Sequence, residues 1–149
     1  MKVYLASDHH GYKIKGDILK FLTQKNYQVI DLGDKELNPD DDYPIFAKKA
    51  VHALLTDEDT NSRAIMLCGS GQGMCIAANR YKGIRAALCW NPKMAHVARN
   101  DDDVNVLCLS ADHTSEEDIL DTTLTFLNTP FANAARFVRR IKEIDQVED

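Results

Sequence analysis

Cys68-Gly69-Ser70-Gly71-Gln72-Gly73 places a thiol, a hydroxyl and three glycines within six residues. The stretch follows an apolar run, residues 63–68, and precedes a segment of helical period. Glycines at a strand-to-helix turn let the backbone approach a ligand closely. The helix start adds unpaired N–H groups and the positive end of a dipole. Such a turn suits a developing oxyanion or a phosphate, and it also fits a purely structural tight turn. The spacing is neither GxGxxG nor a P-loop, which would end in GK[ST]. Cys68 stands at the mouth of the turn, where the dipole can partly ionise a thiol and make it a nucleophile or a base. Acyl transfer would need a histidine to orient the thiol. Proton abstraction beside a carbonyl needs only a thiolate and oxyanion donors.

Two further groups fall where chemistry could use them. Asp8 and His9 close the first apolar run and face the same rim, either as a helix cap beside a solvated histidine pair or as ligand contacts. A metal site at Asp8, His9 and His10 would need a further ligand, so no metal is expected. Arg136 and Arg140, four residues apart, share one face of a helix, as a phosphate clamp or as a solvated basic face with Arg139 and Lys142. Cys75, Cys89 and Cys108 adjoin apolar runs with no CxxC or zinc spacing, and read as free, buried thiols. The aspartate runs at 40–42 and 101–103 read as solvated loop charge without EF-hand spacing.

Positioning these groups requires an alternating chain. Apolar runs at 2–7, 28–32, 63–68, 84–89 and 104–109 read as strands. Helical periods fall at 11–26, 44–56, 73–80, 92–100, 115–128 and 131–145, with Pro44 at a first helical position and Ser115 opening a near capping box with Asp118. Five strands, each followed by a helix, predict an α/β three-layer sandwich: a five-stranded parallel sheet, helices on both faces and a C-terminal helix. Function in such a sheet collects at the carboxyl ends of the strands. The 149 residues predict one domain, 1–149, large enough to fold without staples. The formal charge of −5 argues against a general nucleic-acid or membrane-surface binder. The N-terminus turns polar too soon for a signal peptide, and no apolar run approaches a membrane span, so a cytoplasmic location is expected.

Taken in order, Asp-His-x-Gly after the first strand, DLG and DYP around the polar loop, CGSGQGMCIAANRYKGIRAALC over 68–89, NVL, and an R-x-x-x-R tail resemble the type B ribose-5-phosphate isomerase family. That family also includes the galactose-6-phosphate isomerase subunits, and the resemblance runs from Val3 to Ile144. It implies a Rossmann-like sheet, a homodimer or tetramer with a composite site, no cofactor, and aldose–ketose isomerisation of a sugar phosphate through a cis-enediolate. Cys68 matches the base between C1 and C2. Ser70 and the N–H groups of Gly69, Gly71, Gln72 and Gly73 match the enediolate stabilisers. Asp8 and Tyr43 match sugar-hydroxyl contacts, and His9, Arg136 and Arg140 match the phosphate set. Some members use a glutamate where this chain has Met74, which leaves Cys68 as the base.

Three positions depart from the family pattern. Asp101-Asp102 stand in place of a His-Asn pair whose histidine opens the furanose ring, making Asp101 the candidate opener and Asp102 a substrate contact. Asp112 replaces an arginine that helps hold phosphate, and Phe137 replaces a histidine between the tail arginines. Reversing a charge beside a dianion costs a few kcal/mol at an effective dielectric of ~20. The expectation is therefore weak turnover of ribose 5-phosphate and better turnover of another sugar phosphate. Alternatives are a subunit that needs a paralogous partner chain, and a non-catalytic sugar-phosphate binding protein.

Overall fold

The computed structural model describes residues 1–146; the last three residues of the expected 1–149 unit lie outside the described residues. Five strands, β1 (Lys2–Ser7), β2 (Gln28–Asp31), β3 (Arg63–Cys68), β4 (Ala86–Leu88) and β5 (Val106–Ser110), form one parallel sheet in the order β2-β1-β3-β5-β4. Six helices, α1 (Tyr12–Gln24), α2 (Tyr43–Leu55), α3 (Gln72–Ala78), α4 (Pro92–Asp102), α5 (Glu116–Asn128) and α6 (Ala135–Asp145), complete the three layers expected from the alternation.

Side chains alternate across each strand, so the two faces build separate cores. Val3, Leu5, Ile65, Leu67, Leu107 and Leu109 pack with Ile18 and Leu22 of α1, Ala95 of α4 and Phe126 of α5. Tyr4, Ala6, Met66, Cys68 and Cys108 pack with Phe46, Ala47 and Val51 of α2 and Met74 of α3. Phe126 is fully buried, and truncating it to alanine would cost about 3–5 kcal/mol.

Register then fixes the working edge. Ser7 lies opposite Leu67, and Cys68 lies opposite Ser110, so the ends of β1, β3 and β5 open on one rim. Loop 110–112 is bolted to the glycine turn there: Ala111 N–H donates to the Cys68 carbonyl and Asp112 N–H to the Gly69 carbonyl, both at 3.0 Å, and Ser110 Oγ donates to the Gly69 carbonyl at 2.7 Å.

Several boundaries differ from the sequence expectation. The edge strand β4 begins at Ala86 because Asn105 takes the Arg85 backbone, its Oδ1 accepting from Arg85 N–H at 2.9 Å. The last helix begins at Ala135 rather than 131: Pro130 cannot continue a helix as donor, and Asn133 adopts φ 51°. The aspartate runs are not simply solvated charge. Asp103 caps α4 and reaches both Arg99 (2.7 Å) and Arg85 (2.9 Å), and Asp41 is tied to His9. Cys75 is half-buried, whereas Cys89 and Cys108 are buried as expected. The Ser115–Asp118 cap forms, with Ser115 Oγ accepting from Asp118 N–H at 3.1 Å and donating to its carboxylate at 2.8 Å.

Candidate active site

Cys68 ends β3 nearly buried, on the face shared with α2 and α3. Gly71 N–H donates to its Sγ at 3.2 Å, the kind of contact a thiolate accepts. Gly71 holds φ 77°, and a Cβ there would fall 2.8 Å from the Leu109 backbone and 2.6 Å from Leu88 Cδ1. Glycine is thus required for the turn to fold back over the thiol. At Gly73 an added Cβ would sit 2.7 Å from the Tyr43 ring, so that ring packs directly on the turn. That contact brings Tyr43, from the start of α2, onto the turn although 25 residues separate it from Cys68 in sequence (68 − 43). Ser70 and Gln72 complete the turn, Ser70 Oγ accepting from Gln72 N–H at 3.3 Å. Met74 is fully buried, an apolar wall behind Cys68.

The rim beside this turn carries two histidine–aspartate pairs. Asp8 is the cap of a short 3₁₀ turn, His9–Gly11, its Oδ1 accepting from His10 N–H at 3.0 Å and Gly11 N–H at 3.4 Å. Burial raises the Asp8 pKa above its ordinary value, although the Gly11 N–H donor works against the rise. His9 Nδ1 lies 2.6 Å from Asp41 Oδ1, and this carboxylate raises the His9 pKa. Asp8, His9 and Asp41 bring ligand-type atoms within 4.8 Å of one another, but Asp8 and Asp41 already accept from backbone N–H groups. His10 Nδ1 lies 2.9 Å from Asp112 Oδ2, and the His9 and His10 rings are 4.4 Å apart between centroids.

Sequence reasoning treats Asp41 as loop charge, weighs His10 only in a solvated histidine pair or a metal site, and reads Asp112 as an anion beside the phosphate. Their partners are 32 residues away for Asp41 and 102 for Asp112 (112 − 10), beyond any local spacing rule.

The remaining sequence-derived candidates lie elsewhere in the protomer. Asp101 and Asp102 end α4, where Asn100 Nδ2 donates to Asp101 Oδ1 at 2.7 Å. Arg136 and Arg140 are exposed on α6, with Arg136 over the Phe137 ring at 4.4 Å. α6 packs against α4, and its Ile144 shares a cleft with Tyr81 and Ile84, which precede β4. In a parallel sheet that is the end opposite Cys68. One protomer therefore gathers Asp8, His9, Tyr43, Cys68, Gly69, Ser70, Gly71, Gln72 and Gly73. Asp101, Asp102, Arg136 and Arg140 are not among them in this protomer.

A parallel α/β sheet with a thiol and a glycine turn at its strand ends puts the candidate site where enzymes of this architecture carry theirs. The ribose/galactose isomerase family profile matches residues 3–144, and the chain belongs to that family. A probable ribose-5-phosphate isomerase B of Mycoplasma pneumoniae is 42% identical over 95% of this chain and 91% of its own. The ribose-5-phosphate isomerase B of Mycobacterium tuberculosis H37Rv is 36% identical over 99% and 90%. The structure of ribose-5-phosphate isomerase B from Mycoplasma genitalium with bound ribulose-5-phosphate superposes with a TM-score of 0.93 at 37% identity, covering 99% of this chain and 95% of that one. A ribose 5-phosphate isomerase from Thermotoga maritima gives 0.92 at 42%, covering 98% of each. No helix among the described residues is long and apolar enough to cross a membrane.

Proposed function

We propose that the chain interconverts ribose 5-phosphate and ribulose 5-phosphate as a cytoplasmic enzyme. Cys68 moves the proton between C1 and C2 through a cis-enediolate. The observation that carries this reading is the Cys68 sulfur at the strand end, covered by the Gly71 N–H at 3.2 Å in a turn whose glycines leave room for no Cβ. The enediolate oxygens would meet Ser70 and the turn's N–H groups, preorganised donors at the site of developing charge. Asp8 and Tyr43 would contact sugar hydroxyls, and His9, positively charged more readily beside Asp41, would face the phosphate.

The substrate choice follows from charge as well as from the relatives' names. Asp112 taken alone would repel a phosphate. His10 Nδ1 lies 2.9 Å from Asp112 Oδ2, so that carboxylate is turned to a histidine partner rather than left alone beside the phosphate. Arg136 and Arg140 reach the phosphate from the second protomer of a homodimer, as Asp101 and Asp102 reach the sugar. Assaying the purified protein on a panel of pentose 5-phosphates and hexose 6-phosphates tests the reading. Ribose 5-phosphate is expected to give a kcat/KM of about 10⁴ M⁻¹s⁻¹ or more. Clear preference for a hexose 6-phosphate, or no turnover by this chain alone, would contradict it.

A further inference from the structure

Strand β3 begins at Arg63 and ends at Cys68, so the Arg63 end stands about 16 Å from the thiol along the strand. We propose that this far end carries a second binding site, for a small phosphate-type oxyanion, built on Arg63 and backed by Arg99.

The site rests on a cation without an anion. Arg63 is half-buried, and among the described residues it forms no ion pair. Taking a charge out of water without a partner is costly, so such a group is held for a reason or waits for a ligand. Its Nη1 donates to the Ser62 carbonyl at 2.8 Å and the Thr60 carbonyl at 3.0 Å. Those bonds fix the guanidinium and leave its other donors to a ligand. The neighbouring carboxylates are committed elsewhere. Asp103 is divided between Arg99 at 2.7 Å and Arg85 at 2.9 Å, and Asp59 accepts the Asn61 N–H at 2.9 Å. Burial first, and then the like charge of Arg99, lowers the Arg63 pKa, and Asp103 offsets only part of this.

Arg63 opens on a pocket of about 390 Å³ that Asn61, Arg99, Asn128 and Thr129 also line. That volume falls within the range of small-molecule sites. No acidic side chain lines it among the described residues. The negative ends of α4 and α5 point this way and would repel an anion, but Arg99 answers them. Its side chain is only 3% exposed, and its Nε and Nη1 donate to the Thr129 and Val104 carbonyls. Asn128 Oδ1 accepts from Tyr27 O–H at 2.9 Å, which leaves Nδ2 as the donor Asn128 can offer. A guanidinium at the start of β3 and an amide at the end of α5 therefore converge on one space. Donors from separate directions suit an oxyanion with several equivalent oxygens. None of these residues belongs to the set gathered around Cys68.

Titrating the full-length protein with inorganic phosphate, followed by proton–nitrogen correlation NMR at an ionic strength held constant with sodium chloride, tests the site. Saturable shifts should appear at the Arg63 Nε–H and at the Asn61 and Asn128 side-chain amides. They should be separate from any shifts at Gly69 to Gly73, where the catalytic site also takes phosphate. Arg63→Gln should weaken half-saturation at the far end by about tenfold or more. The response of the glycine turn and kcat should stay as in the unmodified protein. Shifts confined to the turn, far-end shifts that stay linear in phosphate, or an unchanged far-end titration in Arg63→Gln would overturn the proposal. The first two readouts come from the unmodified protein, so they decide the matter even if the variant folds poorly.

Discussion

His9 Nδ1 lies 2.6 Å from Asp41 Oδ1, and the same oxygen accepts the His9 backbone N–H at 3.2 Å. One carboxylate thus pins loop 34–42 to the end of β1 and sets the charge of a rim histidine. The Asp41 side chain is only 5% exposed, which keeps this pairing from being a screened surface contact.

The pair makes stability depend on pH with a definite sign. Asp41 raises the His9 pKa above the roughly 6.5 of the unfolded chain, so the native state holds the proton more tightly. The resulting stabilisation is fully present below about pH 6.5 and is lost as pH rises through the raised folded value. Thermal unfolding of the unmodified protein and Asp41→Asn should therefore differ most near pH 6 and converge as pH rises. A Tm gap that stays constant from acid to alkaline pH would show that His9 titration contributes nothing.

Two glycines should respond oppositely to alanine. Gly71→Ala forces a Cβ into left-handed backbone and onto Leu109, and should cost about 2–4 kcal/mol. Gly16 lies inside α1 with nothing within 4 Å of a Cβ, so Gly16→Ala should stabilise by about 0.5–1 kcal/mol. Chemical denaturation measures both, and a gain at Gly71 or a loss at Gly16 would contradict the backbone argument.

A composite site predicts complementation. Cys68→Ala and the double variant Arg136→Gln, Arg140→Gln should each be nearly inactive alone. Co-refolded in equal amounts, they should recover about a quarter of wild-type activity, from one intact site in the half of the dimers that are mixed. No recovery, with light scattering showing that mixed dimers form, would place each site within one chain.

Much of this was legible in sequence because the signals were local. The runs at 2–7 and 63–68 match β1 and β3 residue for residue, since strands buried on both faces must be continuously apolar. The turn from Cys68 to Gly73 was legible because its glycines stand together. Strand order was not: β5 lies between β3 and β4, a choice made by packing across the sheet rather than by any run of residues. The Asp41–His9 and Asp112–His10 pairs were hidden for a related reason. An aspartate in a run of aspartates looks solvated until the fold brings a histidine to it.

The central claim is that Cys68 moves the proton. Cys68→Ala, assayed with ribose 5-phosphate beside Cys75→Ala, tests it most directly. Cys75 is a useful control because it packs on the same face of the sheet as Cys68, and the Cys108 thiol lowers its pKa to about 7. Loss of the base should cut kcat by about 10²–10⁴-fold with the unfolding midpoint nearly unchanged, while Cys75→Ala keeps near wild-type kcat. Near wild-type kcat in Cys68→Ala would contradict the account.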